Sequence, residues 1–285
     1  MSAAGTDQRR PGTPAGSPQQ RAAVQRVVTA LREHVEEPWT LNGMSRIAYL
    51  SPFHFNRVFR RVTGTPPGRF LSALRMARAR HLLLSTGMTI TDICTAVGYS
   101  SLGTFTTQFT EQVGMTPGRL RLVHAAYGQQ QIGDLLAGSD RAPVPAVPVP
   151  GPAGRPRPAG GTVTGTVEAG PGPDRLILVG LFPGPVAQGA PVACTSRTGS
   201  GRFVLPDVPA GTFHLLATAL PAQATVGQVM TDSSPADCWV GAGPRPVDVR
   251  PGERPEQERL ALAPAASIDP PILSGLPLLH LTRAA

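Results

Sequence analysis

One stretch of this sequence occurs twice, and that constrains the fold more than any other feature. SPFHFNRVFRRVTGTPPGRFL from Ser51 and SLGTFTTQFTEQVGMTPGRLR from Ser101 align at an offset of 50 residues. Ser51 pairs with Ser101, Phe55 with Phe105, Phe59 with Phe109 and Gly64 with Gly114. Pro67, Gly68 and Arg69 pair with Pro117, Gly118 and Arg119. Each copy opens on a serine, a residue that caps helix N-termini, and closes on a glycine, the residue that ends helices. Phenylalanines four apart share one helix face, so both pairs read as core.

The surrounding spacing extends this to seven helices over 18–127. Ser17 caps the first, with Pro18 in its first turn and an apolar stripe at Val24, Val27, Val28, Leu31 and Val35. A short helix carries Met44, Ile47 and Ala48 before the turn at Tyr49 and Leu50. A longer one runs from Pro67 to about Ser85. Another short one carries Ile90, Ile93, Cys94 and Val97 before the turn at Gly98. The pattern is therefore short helix, turn, capped helix, made twice and joined by one long helix. Pro117 starts the last helix.

Charge follows the same boundaries. Residues 20–127 hold thirteen arginines against five acids, and residues 128–285 hold eleven against twelve. The whole excess of +8 thus sits on the repeated segment, the footprint expected for a polyphosphate partner. Every basic residue is arginine and none is lysine, which suggests GC-rich coding and a bacterial source. A helix fits the major groove of DNA, where each base pair shows a distinct pattern of donors and acceptors. Adjacent major grooves on one face recur about every 34 Å. Two such units on a rigid connecting helix can read two successive turns of double-stranded DNA from one chain.

The repeat resembles the double helix-turn-helix of AraC/XylS-type transcription regulators. The matching residues include Ile47-Ala48, Ser51, Phe55, Arg57, Phe59, Gly64, Pro67, Arg75, Ala79, Leu82-Leu83, Ile90, Ile93, Gly98-Tyr99, Ser101, Phe105, Phe109, Gly114, Thr116-Pro117 and Arg121. Met44 and Leu120 depart from the usual residues but stay apolar. The resemblance implies that early residues of each second helix reach base edges. In the first unit these are Phe53, His54, Asn56 and Arg57; in the second, Leu102, Gly103, Thr104 and Thr107. Arg can bond guanine bidentately and Asn adenine, so the first unit is expected to carry most direct readout. Ser51, Arg60, Arg61, Arg69, Ser101, Arg119 and Arg121 are the expected phosphate contacts, with Arg78 and Arg80 as further candidates. RNA polymerase is a further candidate partner. The family usually places its sensory domain before the DNA-reading domain, whereas here a strand-rich region follows it.

Residues 1–17 have no apolar core behind their arginines and read as a disordered lead-in, not a signal peptide. Residues 128–160 end in a Pro-rich tract and read as an extended linker. Residues 161–264 show short apolar alternations broken by Gly and Pro, which read as strands. GTVTGTVEAG, RLILVGLF and Pro191–Thr195 are the first three, and GRFVLPDVPAGTFHLLATAL (201–220) is the clearest. That last segment resembles the hairpin of carboxypeptidase-regulatory-like or transthyretin-like β-sandwiches. CWVG, RPVDVR and ERLALA complete the set. A small-molecule effector or a protein partner is the expected ligand of this domain. Residues 265–285 form a tail.

No catalytic arrangement emerges. There is no GxSxG, HExxH or GxxxxGK[ST] segment. The three cysteines, Cys94, Cys194 and Cys238, lack metal-ligand spacing and read as buried thiols. Some DNA-repair methyl-transfer proteins also carry an AraC-like domain, but behind a cysteine-rich zinc module that this chain lacks. His214 alternates with Phe213 on a strand and reads as facing solvent. No stretch approaches the eighteen or so apolar residues of a membrane span. The expectation is a non-enzymatic bacterial protein of the cytoplasm and nucleoid, with no metal or cofactor. An enzyme or scaffold with its activity in the β-domain is the alternative.

Overall fold

The structure is a computed structural model that describes residues 16–136, 159–170, 175–231, 238–251 and 257–272. The helical part comprises α1 (Pro18–Glu33), α2 (Leu41–Ala48), α3 (Pro52–Thr63), α4 (Pro67–Ser85), α5 (Ile90–Ala96), α6 (Leu102–Val113) and α7 (Pro117–Tyr127). Local chemistry sets these boundaries. At α1, Ser17 Oγ accepts from the Gln20 amide and Gln20 Oε1 accepts from the Ser17 amide, a reciprocal cap. Gly64 and Gly114 end α3 and α6 at φ +76° and +92°, a conformation that costs a residue with a Cβ about 1–2 kcal/mol.

Two cores hold the helices. Phe55, Phe59 and Phe70 pack edge to face among the stripe of α1, with Leu71 and Leu74 completing the first. Phe105 and Phe109 lie in the second with Met76, Ala79 and Leu83. The long α4 is the shared wall. Its N-terminal half faces the first core and most of its C-terminal half the second.

The β part has two sheets. β1 (Ala159–Glu168), β4 (Gly201–Pro209) and β8 (Glu258–Ala261) form a three-stranded sheet in the order β4-β1-β8. The larger sheet runs β3 (Ala193–Thr198), β2 (Arg175–Phe182), β5 (Gly211–Pro221), β6 (Trp239–Ala242) and β9 (Ala263–Pro264), with β7 (Val247–Val249) beside β5. The two share one core, to which β1 gives Val163 and Val167, β4 gives Phe203 and Leu205, and β2 gives Ile177 and Val179.

The expected hairpin at 201–220 is corrected. β4 pairs with β1, whereas β5 pairs with β2, β6 and β7. Pro209–Gly211 is a corner where the chain passes from one sheet to the other. Phe203 and Leu205 on β4, and Phe213 and Leu215 on β5, point into the same interior. Strands whose apolar faces must meet across a core cannot also lie side by side in one sheet.

The larger sheet has a second covered face. Alternate residues of β2 divide between two interiors: Ile177, Val179 and Leu181 join the inter-sheet core, while Leu176, Leu178 and Phe182 join the core of Phe105 and Phe109. Two short helices seal this junction. α8 (Ile132–Leu136) follows α7, and α9 (Val226–Thr231) lies between β5 and β6 and packs on α4 and α7. Backbone bonds tie them: Ile132 N–H to Ala224 O at 2.9 Å, Val226 N–H to Gln130 O at 2.9 Å and Gly227 N–H to Gly128 O at 2.8 Å. An extended linker over 128–160 is therefore corrected at both ends, because Gly128–Leu136 is folded against the sheet and β1 begins at Ala159. The linker's Pro-rich centre, the lead-in before Gly16 and the tail beyond Ile272 lie outside the described residues. The start of that tail is fixed: Ile268 is buried in the α1–α3 core and Arg32 Nη2 donates to Ser267 O at 2.9 Å.

Candidate nucleic-acid interface

In each unit a sharp turn aims the second helix away from its neighbour. The first turn runs through Tyr49, which holds a left-handed backbone at φ +56°. The second uses Gly98 at φ +80°, one position earlier in the aligned repeat. A Cβ on Gly98 would lie 2.3 Å from Glu36 O, so only glycine fits there. Ser101 Oγ accepts from the Thr104 amide and so caps α6, whereas the Ser51 side chain makes no capping bond at α3.

The opening residues of both helices are open to solvent. On α3, Phe53 is 81% exposed, Asn56 and Arg57 are exposed, and His54 is half-buried. On α6, Leu102, Gly103, Thr104 and Thr107 are all exposed. Arg57 lies over the Phe53 ring with its guanidinium carbon 6.0 Å from the centroid, which holds both side chains against one strip of the helix. All eight expected base-reading residues thus lie on accessible surface, beside buried Phe55, Phe59, Phe105 and Phe109.

Of the expected phosphate contacts, Ser51, Arg60, Arg61, Arg69, Ser101 and Arg119 are exposed, as is Arg78. Two of the arginines are corrected. Arg80 is buried at 4% exposure. Arg121 turns inward: Nε donates to Leu83 O at 3.1 Å and Nη2 to Met88 O at 2.8 Å. Arg75 does the same for the first unit, donating to Val35 O at 3.0 Å and Glu37 O at 2.7 Å. Each clamps the loop that leads into a helix-turn-helix. Arg121→Ala should therefore cost about 2–3 kcal/mol of stability, the loss of charged hydrogen bonds to part-buried carbonyls, with no change in the salt dependence of DNA binding. Arg69→Ala should do the reverse: stability within about 0.5 kcal/mol, and a salt slope reduced by about one. Urea denaturation and binding titrations at several salt concentrations separate the two.

Sequence reasoning missed Tyr49. It is 84% exposed at the turn of the first unit, and Arg26 of α1 lies over its ring at 5.3 Å. An aromatic at a left-handed turn position was the available signal.

The opposite ends of both helices face the β part. Val62, Thr63 and Gly64, closing α3, line a cavity whose other walls are strands, the loop at 185–187 and the segment 266–272 after β9. At the end of α6, Gly189 N–H donates to Gln112 O at 2.6 Å and Gln188 Nε2 to Gln112 Oε1 at 3.3 Å. The polar chain continues inward: Gln112 Nε2 donates to Ser72 Oγ, and Ser72 Oγ and Tyr99 Oη both donate to Gln108 Oε1. Gly64 and Gly114 are equivalent in the repeat, so one β segment meets the same end of both units.

This geometry, a repeated helix pair with an exposed second helix, defines a helix-turn-helix domain. Residues 44–122 match the family model described as a helix-turn-helix domain. Over 95 residues the chain is 32% identical to the RCS-specific HTH-type transcriptional activator RclR of Escherichia coli, covering 33% of this chain and 34% of that protein. It is 33% identical over 98 residues to the HTH-type transcriptional regulator ExsA of Pseudomonas aeruginosa, covering 34% and 35%. A solved AraC-type regulator from Chromobacterium violaceum aligns over 38% of this chain and 97% of its own at 27% identity, with a TM-score of 0.36. The alignments span about a third of the length of these curated relatives. Residues 44–122 are a helix-turn-helix domain similar to those of HTH-type transcription regulators.

Proposed function

We propose that this protein is a sequence-specific regulator of transcription that places α3 and α6 in two adjacent major grooves of double-stranded DNA. One observation carries this reading: two repeat-related helices expose their N-terminal halves, while the C-terminal end of α6 is bonded to the loop at 188–189 and that of α3 faces the strands across a cavity. A helix-turn-helix reads bases with the N-terminal residues of its second helix. Phe53, His54, Asn56 and Arg57 are the direct readers in the first unit. Leu102, Gly103, Thr104 and Thr107 contact methyl groups and backbone in the second, where shape contributes more. Ser51, Arg60, Arg61, Arg69, Ser101 and Arg119 grip phosphates. The two-sheet body is read as a transthyretin-like sandwich that fixes how the two units sit on DNA.

Selection of bound sequences from a random DNA pool with the full chain tests this. An enriched site spanning about two helical turns is expected. Arg57→Ala should then weaken binding by about 1–3 kcal/mol and relax preference at one base position, with other positions unchanged. Binding without any enriched sequence would refute the reading.

A further inference from the structure

The cavity behind α3 has the form of a ligand site. Its volume is about 440 Å³, within the range of about 300–1,000 Å³ that small organic ligands occupy. Most of its wall is apolar, from Phe182, Pro185, Val186, Leu216, Val240 and Ile272. Two ionisable side chains line it. His214, on β5, is half-buried and lines this cavity. Asp269 comes from the segment after β9, where one carboxylate oxygen accepts from the Ala266 amide at 2.7 Å.

From this lining we propose that the cavity binds a small, mostly apolar molecule bearing a protonated amine, and that its occupancy changes DNA affinity through α3. The proposal rests on the reading of the chain as a DNA-binding regulator. Three features select an amine. A carboxylate only accepts hydrogen bonds, so Asp269 calls for a donor. Residues Val62–Gly64 bring the C-terminal end of α3 to the wall, where helix carbonyls favour positive charge. Burial raises the Asp269 carboxyl and lowers the His214 imidazole from their ordinary values, so a bound cation offsets the desolvation of the carboxylate while the imidazole keeps a nitrogen free to accept a hydrogen bond. Arg32 lies near enough to lower the Asp269 carboxyl, but burial outweighs it, which leaves the carboxylate short of compensating charge.

Coupling follows from position. A molecule here touches the sheet and the last turn of the first recognition helix together. It can shift DNA affinity only by binding the DNA-competent arrangement better or worse than the free one.

Two probes with one apolar body test the idea on the full chain: 1-naphthylmethylamine and 1-naphthoate, titrated by calorimetry. The amine should bind at least tenfold tighter. Asp269→Asn should weaken the amine at least tenfold and leave the carboxylate unchanged. Leu216→Trp, which fills the cavity, should abolish amine binding, with circular dichroism confirming the fold. Saturating amine should shift affinity for the selected DNA site at least threefold, and not in Leu216→Trp. Equal binding of both probes, amine binding that survives Leu216→Trp, or unchanged DNA affinity would overturn the proposal. Amine binding without any selected DNA site would refute the regulator reading while leaving the pocket. A selected DNA site without amine binding would do the reverse.

Discussion

Gly98→Ala should destabilise the protein by about 3–4 kcal/mol, whereas Gly64→Ala should cost only about 1 kcal/mol. Both glycines hold left-handed backbone, at φ +80° and +76°. The backbone penalty is therefore the same. The surroundings differ. Nothing lies within 4 Å of a Cβ placed on Gly64. A Cβ on Gly98 would meet Glu36 O at 2.3 Å and Arg75 Nη2 at 2.9 Å. That carbonyl belongs to the loop that Arg75 clamps, through Val35 O and Glu37 O, so it cannot simply retreat. Arg75 also lies over the Tyr99 ring at 5.6 Å. The added methyl group thus strains the contact between the turn of the second unit and the loop entering the first. Urea denaturation of the two variants gives the comparison. Equal losses would mean that the Glu36 loop does not press on the second turn. Because Tyr99 and Gln108 share a hydrogen bond at 2.8 Å, Gly98→Ala should also loosen α6 and weaken DNA binding more than Gly64→Ala does.

The helical half was legible because its signals are local. Ser17 with Gln20, Ser101, and the glycines at 64 and 114 each fix a helix end through contacts within a few residues, and Ser51 marks the start of α3 without a side-chain cap. The exposed reading faces followed from the buried phenylalanines, since a helix that buries one strip must expose the opposite one. What failed was long-range. Arg121 was indistinguishable by type from Arg69, and only the position of the Leu83 and Met88 carbonyls turns it inward. The corner at Pro209–Gly211 carries the same residues as a hairpin turn, and which sheet each strand joins is decided by pairing tens of residues away. One clue went unused. RLILVGLF is apolar at successive positions, not alternate ones, and a strand of that kind must be covered on both faces. Its second cover is the helical domain, which makes the connection between the two parts a packed interface where a tether was expected.

Phe109→Ala should cost about 3–5 kcal/mol, and the loss should register in both parts of the molecule at once. Phe109 is fully buried. Its core contains Met76 and Leu83 from α4, Leu120 from α7, and Leu178, Phe182 and Leu220 from the sheet. A cavity opened there removes contacts from helices and strands together. The two tryptophans provide separate reporters. Trp39 packs on the α1–α3 core, with Nε1 donating to His34 O at 2.7 Å, and Trp239 stands on β6 under Arg175 at 5.3 Å. In Trp239→Phe, fluorescence follows the helical part; in Trp39→Phe, it follows the sheet. The expected result is a single urea midpoint common to both backgrounds, shifted equally by Phe109→Ala. A midpoint that moves only in the Trp239→Phe background would mean that the β body folds by itself. The repeat-equivalent change Phe59→Ala sharpens the test, because Phe59 lies in the core that meets the β part chiefly through Ile268. Its loss should reach the sheet only through cooperative unfolding of the whole chain. If folding is cooperative, Phe59→Ala and Phe109→Ala both shift the Trp239 midpoint; if the β body folds by itself, neither does.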